Sequence, residues 1–298
     1  MAADSLWKID KTVGVTVVTS GPGATNLITG IACSYFDSIP TIHITGQVNQ
    51  NEKEIYRGAS VRQAGFQETN IVDMVKPITK YAVQVTTIDQ LKTELAKAYE
   101  IALSGRMGPV LIDVPMDIQQ AEAGESILLN KSHSNSISID QKEIIQSSLI
   151  NFFEGSQRPL VLFGAGVGLA EQSEAVISFI ESNNLPFVSS WNGMKFFNHQ
   201  HNNYYGNIGV YGNRGANFIL QSADRLLVLG SRLDNRQRGN VQKFVQDAKV
   251  LVMDIDQGEL DKHKNNPNHE MIQIDFSGFF VYMSLNFSIG KFSLGCLN

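Results

Sequence analysis

The stretch VTSGPGATNLITGIACSYFDSIPTIHITGQV, residues 18–48, decides the reading of this chain. Just before and into it, Val15 to Thr19 is short and β-branched, the pattern of a buried strand. Gly21-Pro22-Gly23 follows, a helix is predicted from Gly23 to Tyr35 with Asn26 near its start, and a second strand runs from Thr41 to Thr45 into Gly46-Gln47. A strand, a crossover helix and a strand in that order predict a parallel βαβ unit. The glycines let backbone approach a ligand, and the helix start offers free N–H groups. Taken alone, they equally mark a tight βα turn with nothing bound.

The alternation continues outward. Residues 49–70 are polar and glycine-bearing and predict a long loop with at most one helical turn. Tyr81 to Val85 predicts a strand. Ile88 to Ser104 predicts a helix, with apolar residues at Leu91, Leu95, Ala98, Ile101 and Ala102. Val110 to Val114 (VLIDV) predicts a buried strand closed by Pro115. Residues 119–139 turn rich in Ser, Asn and Gln, the composition of a linker. A second α/β series follows: helix from Ile144 to Phe153, strand Leu160 to Phe163, helix Ala170 to Ser182, strand Pro186 to Ser189. It continues with helix Ala216 to Gln221 and strands Arg225 to Leu229, Val250 to Met253 and Ile272 to Ile274. The fold class expected is α/β: a partial parallel-sheet domain over 1–118, a linker over 119–139, a Rossmann-like domain over 140–276, and an aberrant tail over 277–298.

Composition agrees with two soluble cores. The 298 residues are 43% hydrophobic and 18% charged, and a length prior of ~150 residues per domain gives two. A formal net charge of −5 argues against nonspecific nucleic-acid binding. No apolar run is long enough to predict a membrane span. Cys33 and Cys296 make neither a disulfide framework nor a zinc spacing, so a reducing, cytoplasmic compartment and no metal ligands are expected.

Candidate binding residues cluster after strands of the second series. Gly164-Ala165-Gly166 follows one strand, and Gly209, Tyr211, Gly212, Asn213 and Arg214 form a glycine-rich loop before a helix. Arg232, Asp234 and Arg236 follow LLVL, Asp254 and Asp256 end VLVM, and Asp275 follows the last strand. Loops at the carboxyl ends of parallel strands share one rim, where ligands bind in open α/β sheets. Arginines there suit a pyrophosphate and acids suit ribose hydroxyls. The alternative for Arg232 and Arg236 is an internal ion pair with Asp234 or Asp254. His199 and His201, in NHQHNN, read as solvated loop histidines.

Together these blocks resemble the acetolactate synthase family of thiamine-diphosphate enzymes, from Met1 to about Asp275. The cassette at 18–48, GFQE at 65–68 and SGRMGPVLIDVPMD at 104–117 resemble the family's pyrimidine-binding domain. YGNRGANFILQSADRLLVLGSRLDNR and VMDID resemble its central domain. The resemblance implies thiamine diphosphate and magnesium as cofactors, and FAD or ADP in the central domain. It implies 2-oxo acids such as pyruvate as substrates, and a homodimer or homotetramer. The chemistry implied is decarboxylation of one 2-oxo acid and joining of its remaining carbon to a second carbonyl. Residue by residue, Gly21, Pro22, Gly23, Asn26 and Gln47 fall in the thiamine pocket. Phe66 and Gln67 match its active-site loop, and Arg106 matches an arginine that contacts the flavin. Met116 stands where acetolactate synthases have lysine. The family's catalytic glutamate lies upstream of the block matched by MAADSLWKID, and its diphosphate-binding domain lies downstream of Asp275. The chain is therefore expected to be a fragment without activity of its own, with an open edge on its first sheet. A non-catalytic nucleotide-binding remnant, or a subunit docking on a complete relative, is the alternative.

Overall fold

The computed structural model describes residues 1–55, 60–124, 138–240 and 243–286. The chain divides into two compact units, Met1–His133 and Ser134–Asn298. Each is built on one sheet, and all strand pairings among the described residues are parallel.

The first unit carries β1 (Gly14–Val18), β2 (Thr41–Gln47), β3 (Tyr81–Gln84) and β4 (Val110–Pro115), in the order β1-β2-β4-β3. Helix Ile88–Leu103 follows the predicted spacing and starts at Thr87, whose hydroxyl accepts the Gln90 N–H. It buries Ala98 and Ala102 against Ile42, Val110, Ile112 and Val114. On the other face Leu111 packs with Ala24, Ile31, Ile71 and Val75. The helix predicted from Gly23 to Tyr35 is two helices, Pro22–Thr25 and Ile28–Asp37. Between them the Leu27 N–H bonds to the Ala24 carbonyl, a three-residue step that tightens the turn. The first residues form helix Ala2–Asp10, which buries Ala3 and Trp7; the sequence reading assigned no element there. Helix Gln50–Ile55 takes up the start of the loop expected over 49–70, and helix Ile71–Val75 follows its end. The open edge is present: β1 pairs only with β2 among the described residues, and Val15 and Val17 are 53% and 73% exposed.

The second unit carries β5 (Pro159–Phe163), β6 (Phe187–Ser189), β7 (Tyr204–Asn207), β8 (Arg225–Leu229), β9 (Lys249–Asp254) and β10 (His269–Gln273). Their order is β10-β9-β8-β5-β6-β7, so the winding reverses between β5 and β8. That is the doubly wound order, with its ligand crevice expected at the reversal. Both faces are apolar. Val161, Phe163, Leu227, Leu229, Leu251 and Met253 fill one core, and Leu160, Leu162, Leu226, Val228, Val250 and Val252 the other. Strand β7 was not foreseen, because the polar, glycine-bearing sequence HNNYYGN hides it. The predicted helix Ala170 to Ser182 is Ser173–Ser182; a separate helix, Ala165–Leu169, precedes it, and Glu171 between them takes a left-handed φ of 57°. Helix Ile139–Phe153 begins five residues earlier than predicted, because Ser138 and Gln141 close a capping box. The tail expected from residue 277 begins instead as helix Phe279–Asn286, with Phe279, Phe280 and Met283 buried beside Phe179 and Phe276. Its aromatic content, which looked aperiodic, serves packing. Most of the predicted linker and the end of the tail lie outside the described residues.

Candidate functional site

In the first unit the carboxyl ends of β1 and β2 bring the cassette and the GFQE loop together. Gly21 has φ 58° and ψ −123°, which only glycine adopts readily. A Cβ there would lie 2.7 Å from both the Cβ and the carbonyl oxygen of Gln67. Gly21 and Gln67 therefore touch, although they lie far apart in sequence. Gln67 itself has φ 59°, a left-handed conformation that costs a non-glycine residue about 1–2 kcal/mol. Such strain gathers at ligand sites. Phe66 beside it is 83% exposed. Gly65 packs on Val48 and Glu52, and Glu68 accepts the Ala64 N–H at 2.7 Å. Pro22 and Asn26 are exposed on the same turn, and a Cβ on Gly23 would meet the Thr19 methyl.

Gln47 is buried, and its amide is spent internally. Nε2 donates to Thr69 O at 2.8 Å and to Asp113 Oδ2 at 3.1 Å, while Oε1 accepts the Val48 N–H. Arg106 donates from Nε to Ser38 Oγ at 2.9 Å. Its turn is braced by Lys80, whose ammonium donates to the Ile101 and Ser104 carbonyls at the end of helix Ile88–Leu103. Burial pushes the Lys80 pKa down to about 8. Met116 is partly exposed where β4 ends.

In the second unit the rim loops lock onto one another. Gly230 has φ 56°, and a Cβ on Gly164 would lie 2.2 Å from its carbonyl oxygen. The Gly166 N–H donates to that same oxygen at 2.9 Å, and Ala165 lies between them. On the far side, Asn217 grips both the N–H and the carbonyl of Gly209 at 2.9 Å. Val210 N donates to Arg236 O, and the Arg236 guanidinium sits 5.7 Å from the Tyr211 ring centroid. Gly212 packs on the Asn207 carbonyl, Asn213 accepts the Asn207 N–H, and Arg214 is exposed at the start of helix Arg214–Ser222.

The acids serve their own loops. Asp234 caps helix Asn235–Arg238 and Asp256 caps Gln257–Asp261. Asp254 accepts the Asp256 N–H, and Asp275 accepts from both the N–H and the hydroxyl of Ser277. Arg232 pairs with Glu259 at 3.1 Å. Helix Gln257–Asp261 delivers Glu259 to the same rim, a partner for Arg232 that the sequence reading did not name. His201 bonds Glu181 at 2.9 Å, and His199 bonds the Met194 carbonyl. A polar hollow of about 360 Å³ lies between Glu181 and Asn203. It sits at the amino end of β6, because Asn203 O receives the Phe187 N–H there, so it is away from the rim. Among the described residues no group of three or more His, Cys, Asp or Glu could hold a metal ion, and no helix is long and apolar enough to cross a membrane.

Sequence reasoning missed Thr45, Gln84 and Asp113, and with them Asn217 and Glu259. One signal existed: VLIDVP puts a carboxylate inside an apolar strand.

The two parallel units and their rims define a class. Residues 1–74 match the thiamine pyrophosphate enzyme N-terminal TPP-binding domain, and residues 147–277 match the thiamine pyrophosphate enzyme central domain. The chain belongs to the thiamine pyrophosphate enzyme family. It is similar to the acetolactate synthase isozyme 2 large subunit of Escherichia coli K12, with 34% identity over 88% of this chain and 46% of that protein. It is 35% identical to the Lactococcus lactis acetolactate synthase large subunit, over 87% of this chain and 44% of that protein. Against the chloroplastic acetolactate synthase 2 of Nicotiana tabacum, identity is 33% over 84% and 37%. The resemblance drawn from the sequence is met by these relatives, and the chain spans less than half the length of each.

Proposed function

We propose that this chain supplies the pyrimidine-binding and nucleotide-binding parts of an acetolactate synthase-like carboligase. The contact between Gly21 and Gln67 carries the reading, because it joins the two blocks assigned to the thiamine pocket at one strand end. The residues fit the pyrimidine end of thiamine diphosphate: a glycine turn, an exposed Phe66 and a strained Gln67 meet there. When bound, thiamine diphosphate supplies the electron sink for decarboxylating a 2-oxo acid such as pyruvate and passing its carbon to a second carbonyl. The chain's own part is to seat the pyrimidine on the Gly21 turn and to keep Phe66 and Gln67 over it. Magnesium and the diphosphate belong to residues outside this chain in that reading. FAD or ADP is held at the second rim, where Arg232, Arg236 and Tyr211 offer charge and a stacking face. A cytoplasmic setting and a homodimer or homotetramer complete the proposal.

Pyruvate turnover by the purified chain, with thiamine diphosphate and magnesium added, tests the division of labour. The expected result is none, while FAD or ADP binds measurably by calorimetry. Turnover would overturn the assignment of the remaining machinery to other residues, and no nucleotide binding would overturn the assignment of the second rim. A docking subunit is the second reading. The exposed Val15 and Val17 on edge strand β1 favour it, and co-purification with a full-length relative would support it.

A further inference from the structure

The carboxyl ends of β2, β3 and β4 converge on a carboxylate that the proposed chemistry leaves unused. Asp113 is 1% exposed. It faces Thr45 on β2 and Gln84 on β3 in the strand register. Thr45 Oγ1 donates to its Oδ1 at 2.7 Å. Gln84 Nε2 and Gln47 Nε2 donate to Oδ2 at 2.6 and 3.1 Å. An ionised carboxylate accepts only, and these three partners are donors, which offsets the cost of burying its charge. The Gln47 amide is oriented without ambiguity. Its Nε2 faces two acceptors, Asp113 Oδ2 and Thr69 O, and its Oε1 faces the Val48 N–H. Thr69 closes the loop that begins at Gly65 and carries Phe66 and Gln67 against Gly21.

We propose that Asp113 is the positioning residue of this site: acting through Gln47, it holds the loop of residues 65–69 against the Gly21-Pro22-Gly23 turn. The loop's catalytic meaning rests on the function proposed above, but the mechanical link does not.

Amide hydrogen exchange on the full chain tests it without any turnover, so a failed thiamine assignment leaves the result intact. Asp113→Val and Gln47→Leu each remove the link. Peptides over 64–69 should exchange about tenfold faster, the size of one lost hydrogen bond, while peptides over 110–115 change far less. Thr45→Val breaks only the Oδ1 contact and should leave 64–69 protected. Asp113→Asn should rescue the loop, because its oxygen can serve both glutamines while its amide faces the Thr45 hydroxyl. Should Asp113→Val not fold, Gln47→Leu tests the link from its other end. Unchanged protection of 64–69 in Gln47→Leu overturns the proposal. So does equal loosening of 64–69 in Thr45→Val, which would mean the network merely holds the sheet.

Discussion

The two units cover parallel sheets that differ in how much polar side chain they bury. In the second unit β5, β8 and β9 are apolar on both faces, with Leu160 to Phe163, Leu226 to Leu229 and Val250 to Met253 almost wholly buried. In the first unit β2 buries Thr41, His43, Thr45 and Gln47 on one face and turns Ile42 and Ile44 to the other. His43 lies between the Thr16 and Thr41 hydroxyls at 2.7 and 2.9 Å, and Thr45 and Gln47 reach Asp113. Apolar interiors supply stability without direction, whereas a polar stripe fixes particular groups at particular places. The candidate thiamine residues stand at the end of that stripe. The second unit's rim polar groups are mostly loop caps resting on a greasy platform.

The largest effect should come from the platform. Phe163 is fully buried and meets the Phe197 ring at 5.1 Å, so Phe163→Ala should cost about 3–5 kcal/mol in urea unfolding. A loss below about 1 kcal/mol would mean that the aromatic core is not close-packed and would dissolve the contrast.

Acid should strain the stripe next. Burial pushes the His43 pKa down to about 4, from an ordinary value of 6.5. The unfolded chain then binds a proton more readily than the folded one. Stability is full above about pH 6.5 and falls as pH drops toward 4, by up to ~3 kcal/mol. His43→Gln should flatten this dependence for β2 amides in hydrogen exchange. It should leave that of β9 unchanged, because His263 is likewise pushed down to about 4, by burial and by His269, in the second unit. An identical pH profile in wild type and His43→Gln would remove the stripe as an acid-sensitive element.

The smallest effect belongs to the edge. Val17→Lys on exposed β1 should change stability by less than about 0.5 kcal/mol, yet raise solubility on concentration, as read by light scattering. Marked destabilisation instead would show that Val17 packs against something.

Short runs of apolar and β-branched residues made the sheets legible. VTVVT, VLIDV, LLVL and VLVM all fall where strands form, and the helix at Leu91 to Ala102 keeps its spacing. What escaped depended on side chains meeting across the chain. The break at Asn26–Leu27, the Ser138 capping box and helix Phe279–Asn286 are set by local hydrogen bonds or by a distant aromatic core, which periodicity does not record. The same holds at the site. The Gly21 turn announced itself as glycine after a strand, but its contact with Gln67 is a product of the fold. Asp113 was visible only as an anomaly, a charge in VLIDVP, and its partners Thr45, Gln47 and Gln84 come from β2 and β3.

Gly164, Gly166 and Gly230 also bear on how glycine signatures are read. The room left by their missing side chains is taken up by the chain itself: Gly230 O accepts the Gly166 N–H, and a Cβ on Gly164 would strike it. Those codons are therefore held in place by the close approach of the turns that leave the neighbouring parallel strands β5 and β8, whatever the rim carries. A relative that bound no nucleotide at all would still spell G-x-G at this point. A genome survey that counts such triplets would be tallying packed strand-end turns, and the record of occupancy would have to be sought in the arginines instead.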